Sequence, residues 1–185
     1  MPDVPRIFID LPSIFTRRKV ELTRIFSKIS IKGLKVNFVH ASIGGSIICG
    51  FSDSMTPGTE FKSWRFKTMS PDIIANYHEI WNQYNKNQYF LVRAYLHLFK
   101  KTEDRVYEYI HLHCDASEPD NSPHAEYKKS LHIHVEAAED PIPKAHIALY
   151  NGRPEILTDL RTFNTALNDS VVMIESQVLR RLQIQ

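Results

Sequence analysis

The chain has few cysteines, little net charge and no long apolar run, and each shortage excludes a class of protein. Two cysteines among 185 residues, Cys49 and Cys114, do not make a disulfide scaffold and are typical of a reducing compartment. No stretch approaches about 18 consecutive apolar residues, and residues 1–10 lack a secretion signal, so we expect a soluble, cytoplasmic protein that does not enter a membrane. A formal charge of +2 is too small to indicate nucleic-acid binding from composition alone.

What the chain does contain suits one folded domain. Hydrophobic residues make up 43% of the 185 residues, which is enough for a single core. We predict a single α+β domain, in which a largely antiparallel β-sheet has helices packed on one face and a histidine-rich open face. Three regions follow one another: a basic helix and hairpin region at 1–68, a histidine-rich sheet core at 90–150, and C-terminal helices at 154–183.

The N-terminal region predicts a strand, a helix and a hairpin. The apolar run at residues 6–11 predicts a short strand, and the apolar spacing at residues 16–29 predicts a helix with Thr16 as its N-cap. Alternating residues on both sides of Gly44-Gly45 predict a hairpin, because glycine adopts the positive φ that such turns need. No Lys-Ser or Lys-Thr follows the glycine pair, which argues against a phosphate-binding loop.

The one local excess of charge lies between residues 17 and 35. This block contains seven basic residues and one acid, Glu21. Two interpretations stay open: a solvated helix face, since lysine and arginine are ordinary surface residues, or a surface that contacts phosphates. The basic residues are Arg17, Arg18, Lys19, Arg24, Lys28, Lys32 and Lys35.

The middle of the chain predicts a strand at residues 61–68 and then a helix. Ser70-Pro71-Asp72 combines a capping hydroxyl, a proline at the first helical position and an early acid, so we predict a helix from Ser70 to about Tyr84. Its apolar residues recur at helical spacing and should lie on the sheet. His78 falls beside that stripe and is predicted to be a surface residue.

Two alternating segments then predict neighbouring strands, at residues 90–100 and 105–115. Apolar residues alternate with Arg93, Tyr95 and His97 in the first strand, and with His111 and His113 in the second. A three-residue turn at 102–104 would place His97 opposite Tyr109, Tyr95 opposite His111 and Arg93 opposite His113. Tyr107 and Asp115 are predicted to share the face that carries the two histidines.

Two further segments repeat this pattern, at residues 130–137 and 144–150. His132, His134 and Glu136 alternate with apolar residues in the first, and His146 does so in the second. Three predicted strands therefore present histidines on one face. A polar loop at 116–129, which contains His124, should lie at the edge of that face, and helices at 154–182 should cover the other face.

This histidine face is the candidate functional site. Imidazole is the commonest metal-ligand side chain and also titrates near neutral pH, so such a face suits metal binding or acid–base catalysis. The first hypothesis is a phosphodiesterase or nuclease, a hydrolase acting on nucleic acid or a nucleotide, whose possible cofactor is a divalent Zn, Mn or Fe ion. The predicted metal or catalytic residues are His111, His113, His132 and His134, with His146 as a further metal ligand.

The same hypothesis assigns substrate contacts around the histidines. Basic side chains would hold phosphate, aromatic rings would stack on bases, and carboxylates would orient imidazole groups. The predicted substrate-binding residues are Arg93, Tyr95, His97, Tyr107, Tyr109, Asp115, Lys128, Lys129 and Glu136. The two His-x-His pairs resemble the paired His-x-Thr/Ser motifs of two-histidine phosphoesterases. Histidine replaces the hydroxyl residue in both pairs, and the pairs are 21 residues apart, so we do not assign that family.

Two other hypotheses stay open. One is a metal-dependent oxygenase or isomerase on a cupin-like barrel, because His132, His134 and Glu139 match the spacing of that family's first metal motif, although its glycines are missing. The other is a non-enzymatic subunit or binding module of a bacterial complex, of toxin or defence type. Its His/Tyr/Arg face would be an interface or a structural metal site, and its C-terminal helices could dock on a protein partner.

Overall fold

One antiparallel sheet organises the chain in the computed structural model. The structure describes residues 7–32, 37–54, 58, 60–119, 121, 125–135, 145–149 and 157–183. Nine strands lie within these residues, and they form a single sheet. In chain order they are β1 (Phe8–Asp10), β2 (Asn37–Ile43), β3 (Ser46–Ser52), β4 (Phe66–Lys67), β5 (Ile73–Gln83), β6 (Gln88–Lys101), β7 (Val106–Cys114), β8 (His132–Val135) and β9 (Ala145–Ala148).

Helices cover one face of this sheet. Helix α1 spans residues 11–26 and is built from Leu11–Ser13, a wider π-helical turn at Ile14–Arg18, and Lys19–Phe26. A short helix α2 (Ala125–Lys128) precedes β8. Helix α3 (Leu160–Ile174) continues into a π-helical turn at Glu175–Leu179 and a 3-10 turn at Arg181–Gln183. Apolar residues of α1 and α3 share one core with the sheet, so the predicted α+β fold with helices on one face is confirmed.

The strands are ordered β2-β3-β5-β6-β7-β8-β9, and each pairs with its neighbours antiparallel. Strand β1 pairs with the start of β6, and β4 pairs with β5. Among the described residues β2 and β9 are the two ends of this order, so the described strands form an open sheet rather than the cupin-like barrel. The predicted hairpin is confirmed between β2 and β3, where Gly44 and Gly45 have φ of 56° and 83°.

The predicted helix at residues 70–84 is wrong, because the segment forms the central strand β5. Side chains at odd positions, including Tyr77 and Trp81, are buried in the core on the side of the helices. Side chains at even positions, including Asn76 and His78, lie on the opposite face. The sequence has helical apolar spacing, but pairing with β3, β4 and β6 satisfies the backbone as a strand and overrides that local preference.

Other predicted boundaries also change. Asp10 rather than Thr16 caps α1, since the Asp10 carboxylate accepts a hydrogen bond from Ser13 N (2.9 Å). The predicted strand at 61–68 is reduced to β4, preceded by a 3-10 turn at Phe61–Ser63. Helix α3 begins at a capping box formed by Asp159 and Thr162, and it continues unbroken through residues 168–170.

The predicted register of β6 and β7 is wrong by two residues. His97 lies opposite His111, and Tyr95 lies opposite His113. A bulge causes the shift: Phe99 pairs with Glu108 but Leu98 pairs with Ile110, so Tyr109 is left unpaired. On the turn side of this bulge the faces are exchanged. Glu108 therefore joins the histidine face, while its neighbour Tyr107 points to the other side of the sheet.

A buried ion pair joins α1 to the central strand. The side chains of Arg18 and Glu79 are both 0% exposed. The Glu79 carboxylate accepts hydrogen bonds from Arg18 Nε (2.9 Å), Trp81 Nε1 (2.9 Å) and the Tyr77 hydroxyl. Burial alone lowers the pKa of Arg18, but the charge of Glu79 outweighs it and raises that pKa above its ordinary value, so the guanidinium stays charged.

None of the described helices combines the length and the apolar composition that crossing a membrane requires. The predicted protein-docking role of the C-terminal helices is not tested. The apolar stripe of α3, including Phe163, Leu167 and Val171, is already buried within this chain.

Replacing Arg18 by methionine should strongly destabilise the fold, because the Glu79 carboxylate would stay buried without its cation. The free energy of unfolding, measured by urea titration, should fall by about 3 to 5 kcal/mol. The double variant Arg18→Met/Glu79→Gln removes both charges and should recover much of that loss. A single variant that is as stable as the double variant would contradict this account.

Candidate functional site

Two rows of paired side chains run across the sheet and assemble the site. One row joins His97, His111, His134 and His146 on β6, β7, β8 and β9, and the next joins Tyr95, His113 and His132. Directly paired residues of antiparallel strands share a face, with Cβ atoms about 4.5 to 5.5 Å apart. The register therefore brings histidines of β6, β7 and β8 together, and it pairs the backbone of His146 on β9 with that of His134.

The first group consists of His113, His132 and His134. His134 Nε2 lies 3.1 Å from His113 Nδ1 and 3.1 Å from His132 Nε2. Nitrogen ligands at about 2.0 to 2.1 Å from a tetrahedral zinc ion are about 3.3 to 3.4 Å apart, so these atoms are close to ligand spacing. The three residues can hold a metal ion.

The protons of this group can be placed from its outer partners. His132 Nδ1 lies 2.9 Å from the Ser130 carbonyl oxygen and donates to it, which places the lone pair of the ring on His132 Nε2. Hydrogen bonds of this kind orient the histidine ligands of metal sites. The remaining nitrogen of His113, Nε2, lies 2.7 Å from His97 Nε2, so one of these two atoms donates to the other.

The second group, His97, Glu108 and His111, lies beside the first. Glu108 places one carboxylate oxygen 3.0 Å from His111 Nε2 and the other 3.5 Å from His97 Nδ1. These three residues can also hold a metal ion. The exposed fractions of the His97 and His111 side chains are 20% and 12%, and that of Glu108 is 49%, so this group is open to solvent on one side.

Burial keeps two of these histidines, His113 and His97, neutral. Burial, together with the neighbouring histidines His134 and His97, lowers the pKa of His113 to about 2. Burial also lowers the pKa of His97 to about 4, with the charge of His111 acting in the same direction and Glu108 opposing it. Neutral imidazoles at neutral pH are the form that binds metal ions.

A groove of about 420 Å³ adjoins the second group. It combines cationic and aromatic side chains: the Arg65 guanidinium stacks 4.9 Å from the Phe99 ring centroid, and the Arg93 guanidinium 5.7 Å from that of Tyr95. Its lining includes His97 and Glu108 and can receive an anionic ligand with an aromatic part. The other lining residues are Phe61, Lys62, Asn76, His78 and Ile80.

The histidine face is only partly open. His132 is 0% exposed and His113 is 9% exposed, whereas Arg93 in the groove is exposed. The predicted surface position of His78 is also wrong, since it is 4% exposed, packs 4.6 Å from the Phe61 ring and lies 3.2 Å from Asn76 Oδ1. The open part of this face is therefore the groove.

The predicted substrate-binding residues do not share one surface, because they differ in position, burial and contacts. Tyr95 stacks on His113 with ring centroids 3.9 Å apart, and its hydroxyl donates to the Asp115 carboxylate. Lys128 is paired with Glu118 (3.1 Å), and Lys129 is 8% exposed. Among the tyrosines on β7, Tyr107 is directed away from the histidines by the bulge, and Tyr109 is 43% exposed.

Some predicted residues lie outside what the structure describes. Glu136, Glu139 and His124 fall outside the described residues, as does the side chain of His146. The backbone of His146 pairs with that of His134, which continues the first row of the site.

Sequence reasoning missed several members of the site, including Glu108 and His78 on the strands and Phe61, Lys62 and Arg65 in the groove. Glu108 alternates out of phase with His111 in the sequence, so alternation alone places it on the opposite face, and only the bulge explains its position. His78 was missed because its segment was predicted to be a helix. Its even spacing from Asn76 and Ile80 is the signal that a strand interpretation would have used.

The comparisons with known proteins give no match. No protein-family model, no curated protein and no solved structure matches this chain. The function must therefore be argued from the site itself.

Acidification should destabilise the protein partly through His78. Burial, with the charges of His97 and Arg93, lowers its folded pKa from 6.5 to about 4. The unfolded chain therefore takes up this proton first, and the stabilisation present above pH 6.5 is lost as the pH falls toward 4.

We compare wild type and His78→Asn, both treated with a chelator so that no metal ion contributes to stability. Between pH 7 and pH 5, the free energy of unfolding should fall by about 2 kcal/mol more in the wild type than in His78→Asn. Urea titration at each pH measures the two losses. Equal losses in both proteins would rule out this role for His78.

Proposed function

We propose that this protein is a metal-dependent phosphodiesterase acting on a nucleotide or on single-stranded nucleic acid, with one divalent ion bound by His113, His132 and His134. The observation that carries the proposal is the convergence of three imidazole nitrogens, with His134 Nε2 3.1 Å from each of the other two, beside a groove lined by cations and aromatic rings. Ligands of this kind favour Zn²⁺, with Mn²⁺ and Fe²⁺ as the other candidates.

The contact between His113 and His97 supports one ion rather than two. A neutral imidazole that binds a metal through one nitrogen carries its proton on the other. If His113 and His97 both used Nδ1 as the ligand atom, both Nε2 atoms would carry protons, and these atoms are 2.7 Å apart. Two donors cannot face each other at that distance, so we assign the ion to the three-histidine group.

With the ion so assigned, the second group takes a different role. His113 Nε2–H donates to His97 Nε2, and His97 Nδ1–H then points to Glu108, 3.5 Å away. This arrangement fixes the orientation of the ligand His113 and connects it to a carboxylate in the groove. Glu108 and His97 are therefore positioned to move a proton between the groove and the buried centre.

The groove supplies the contacts for a phosphodiester. Arg65, Arg93 and Lys62 line it and can hold a phosphate, while Phe61 offers an aromatic surface for a base. The bound ion supplies Lewis-acid stabilisation of a phosphoryl oxygen. These features together favour a phosphoester over an uncharged substrate.

The burial of the three-histidine group favours a second candidate function, a structural metal site in a non-enzymatic binding module. His132 is 0% exposed, and structural zinc sites are closed, whereas catalytic sites keep one open position. In this candidate the groove is an interface for another molecule.

The metal content of protein purified without a histidine tag tests the proposal first. Elemental mass spectrometry should find close to one ion per wild-type chain and almost none in His132→Ala, which loses a ligand. His40→Ala is the matched control, because His40 is an exposed histidine on β2, and it should keep the ion. Two ions per chain, or equal loss in both variants, would overturn the assignment.

Chelation separates the two candidate functions. A structural ion contributes its binding free energy to folding, so its removal should lower the melting temperature markedly and leave no hydrolysis to measure in either state. The catalytic proposal expects hydrolysis of bis(p-nitrophenyl) phosphate by the loaded protein, lost on chelation and regained on adding the metal. Absence of hydrolysis by the metal-loaded protein would contradict the enzymatic proposal.

Removing the Arg93 guanidinium should weaken substrate binding in the groove. For a single-stranded oligonucleotide we expect Arg93→Ala to raise KM about tenfold with little change in kcat, since a charge-assisted contact is lost. Arg105→Ala is the matched control: its guanidinium also stacks on a tyrosine, 5.5 Å from the Tyr107 centroid, but lies outside the groove lining. The same KM change in both variants would contradict a groove-bound substrate.

A further inference from the structure

We propose that a second groove, between α1 and α3 on the helix layer, binds the phosphodiester backbone of nucleic acid. Its volume is about 410 Å³, and it lies on the face of the sheet opposite the histidines. This site is independent of the proposed catalytic function. It is lined by Arg17, Glu21, Arg24, Lys28, Arg161, Asn164, Thr165 and Asn168.

The groove is formed by two facing polar stripes. On α1 and the turn after it, the lining residues recur at intervals of four, three and four, from Arg17 to Lys28. On α3 they recur at intervals of three, one and three, from Arg161 to Asn168. Both spacings place the side chains on one side of their helix, so the two polar stripes face each other across the groove.

The charge of the lining is strongly positive. Four cations and one carboxylate give it a net charge of +3, compared with +2 for the whole chain. The Glu21 carboxylate is already engaged by Arg17 (2.8 Å) and by the buried Arg18 (3.3 Å). Arg24 and Arg161 make no ion pair with any residue that the structure describes.

Stability does not account for this arrangement. Cations from two helices face each other across the groove and repel, whereas a stabilising surface would alternate charges of opposite sign. An anion between the helices removes the repulsion and contacts both stripes at once. The Asp169 carboxylate lies near the Lys28 end of the groove, where it accepts a hydrogen bond from Asn168 (3.1 Å). Asp169 is not part of the groove lining, so it is not counted in the charge of the lining.

The floor of the groove is held in place before any ligand arrives. The Asn164 side chain accepts from Arg18 and donates to Glu21 (2.7 Å), and Lys28 donates to Asn168 (3.0 Å). These contacts tie α1 to α3 and fix the polar atoms between them. The exposed Arg24 and Arg161 lie beside these fixed polar atoms, so less conformational freedom is lost on binding.

The length of the basic stripe favours an extended ligand. Arg17 and Lys28 are eleven positions apart, which corresponds to about 16 Å along a helix. One strand of nucleic acid rises about 3.4 Å per phosphate, so the stripe matches a run of about five phosphates. A single phosphate or a nucleotide would leave most of these cations unused.

Charge reversal in the groove tests the proposal. Binding of a fluorescein-labelled 20-base-pair double-stranded DNA, which is not the single-stranded substrate proposed for the histidine face, is followed by fluorescence anisotropy between 50 and 200 mM KCl. Arg24→Glu/Arg161→Glu should weaken binding at least tenfold and reduce the slope of log K against log salt by about two. The matched control Lys86→Glu/Lys101→Glu makes the same change in net charge at exposed residues outside both grooves and should change the affinity less than about twofold.

Every result of this experiment decides the proposal. Equal effects of the two double variants would show a response to net charge only, and no effect of the groove variant would place binding elsewhere; either overturns the proposal. Displacement of the DNA by pyrophosphate as effectively as by unlabelled DNA, per phosphate, would also overturn it in favour of a site for small phosphates. Hydrolysis of bis(p-nitrophenyl) phosphate should be unchanged in the groove variant, so failure here and failure of the catalytic proposal are separate observations.

Discussion

The burial of Glu79 against Arg18 is the constraint on which the rest of the structure depends. A carboxylate in an apolar core needs a cation and hydrogen-bond donors, and here they come from α1, from Tyr77 and Trp81 on the same strand, and from Cys49 on β3 (3.6 Å). Helix α1 is therefore held at one position over the middle of the sheet. Because side chains alternate along a strand, the same contact commits Asn76 and His78 to the opposite face.

The position of β5 determines how the histidine face is built, beginning at the central strand. His78 lies beneath the groove, the β5–β6 and β6–β7 pairings carry Tyr95 and His97 next to it, and β8 adds His132 and His134. The proposed ligands thus come from strands that pair by register rather than from a loop. Side chains on paired strands hold their separation closely, which is what a metal site or an acid–base pair requires.

The sequence could predict those elements whose residues follow the local pattern of that element, such as strand alternation or the glycine preference of a tight turn. The alternation of residues 90–100 and 105–115 and the Gly44-Gly45 turn follow these patterns, so these strands, the hairpin and the convergence of histidines were predictable. The central strand was not, because Glu79 interrupts its apolar alternation, and its partner Arg18 is 61 residues away. Nor could the bulge at Tyr109 be predicted, since pairing with β6 rather than any local signal decides it.

The bulge also determines how this hairpin tolerates changes in length. The exposed turn at residues 102–105 is where an insertion would ordinarily be harmless, because only solvent surrounds it. The unpaired Tyr109 stands between that turn and the histidines, so the His97–His111 pairing does not depend on the turn. Deleting Tyr109 would make the alternation continuous through β7 and leave Glu108 opposite Phe99, whereas pairing Tyr109 with Phe99 would make Glu108 exchange faces with Tyr107. One residue without a partner thus decides whether the groove contains a carboxylate.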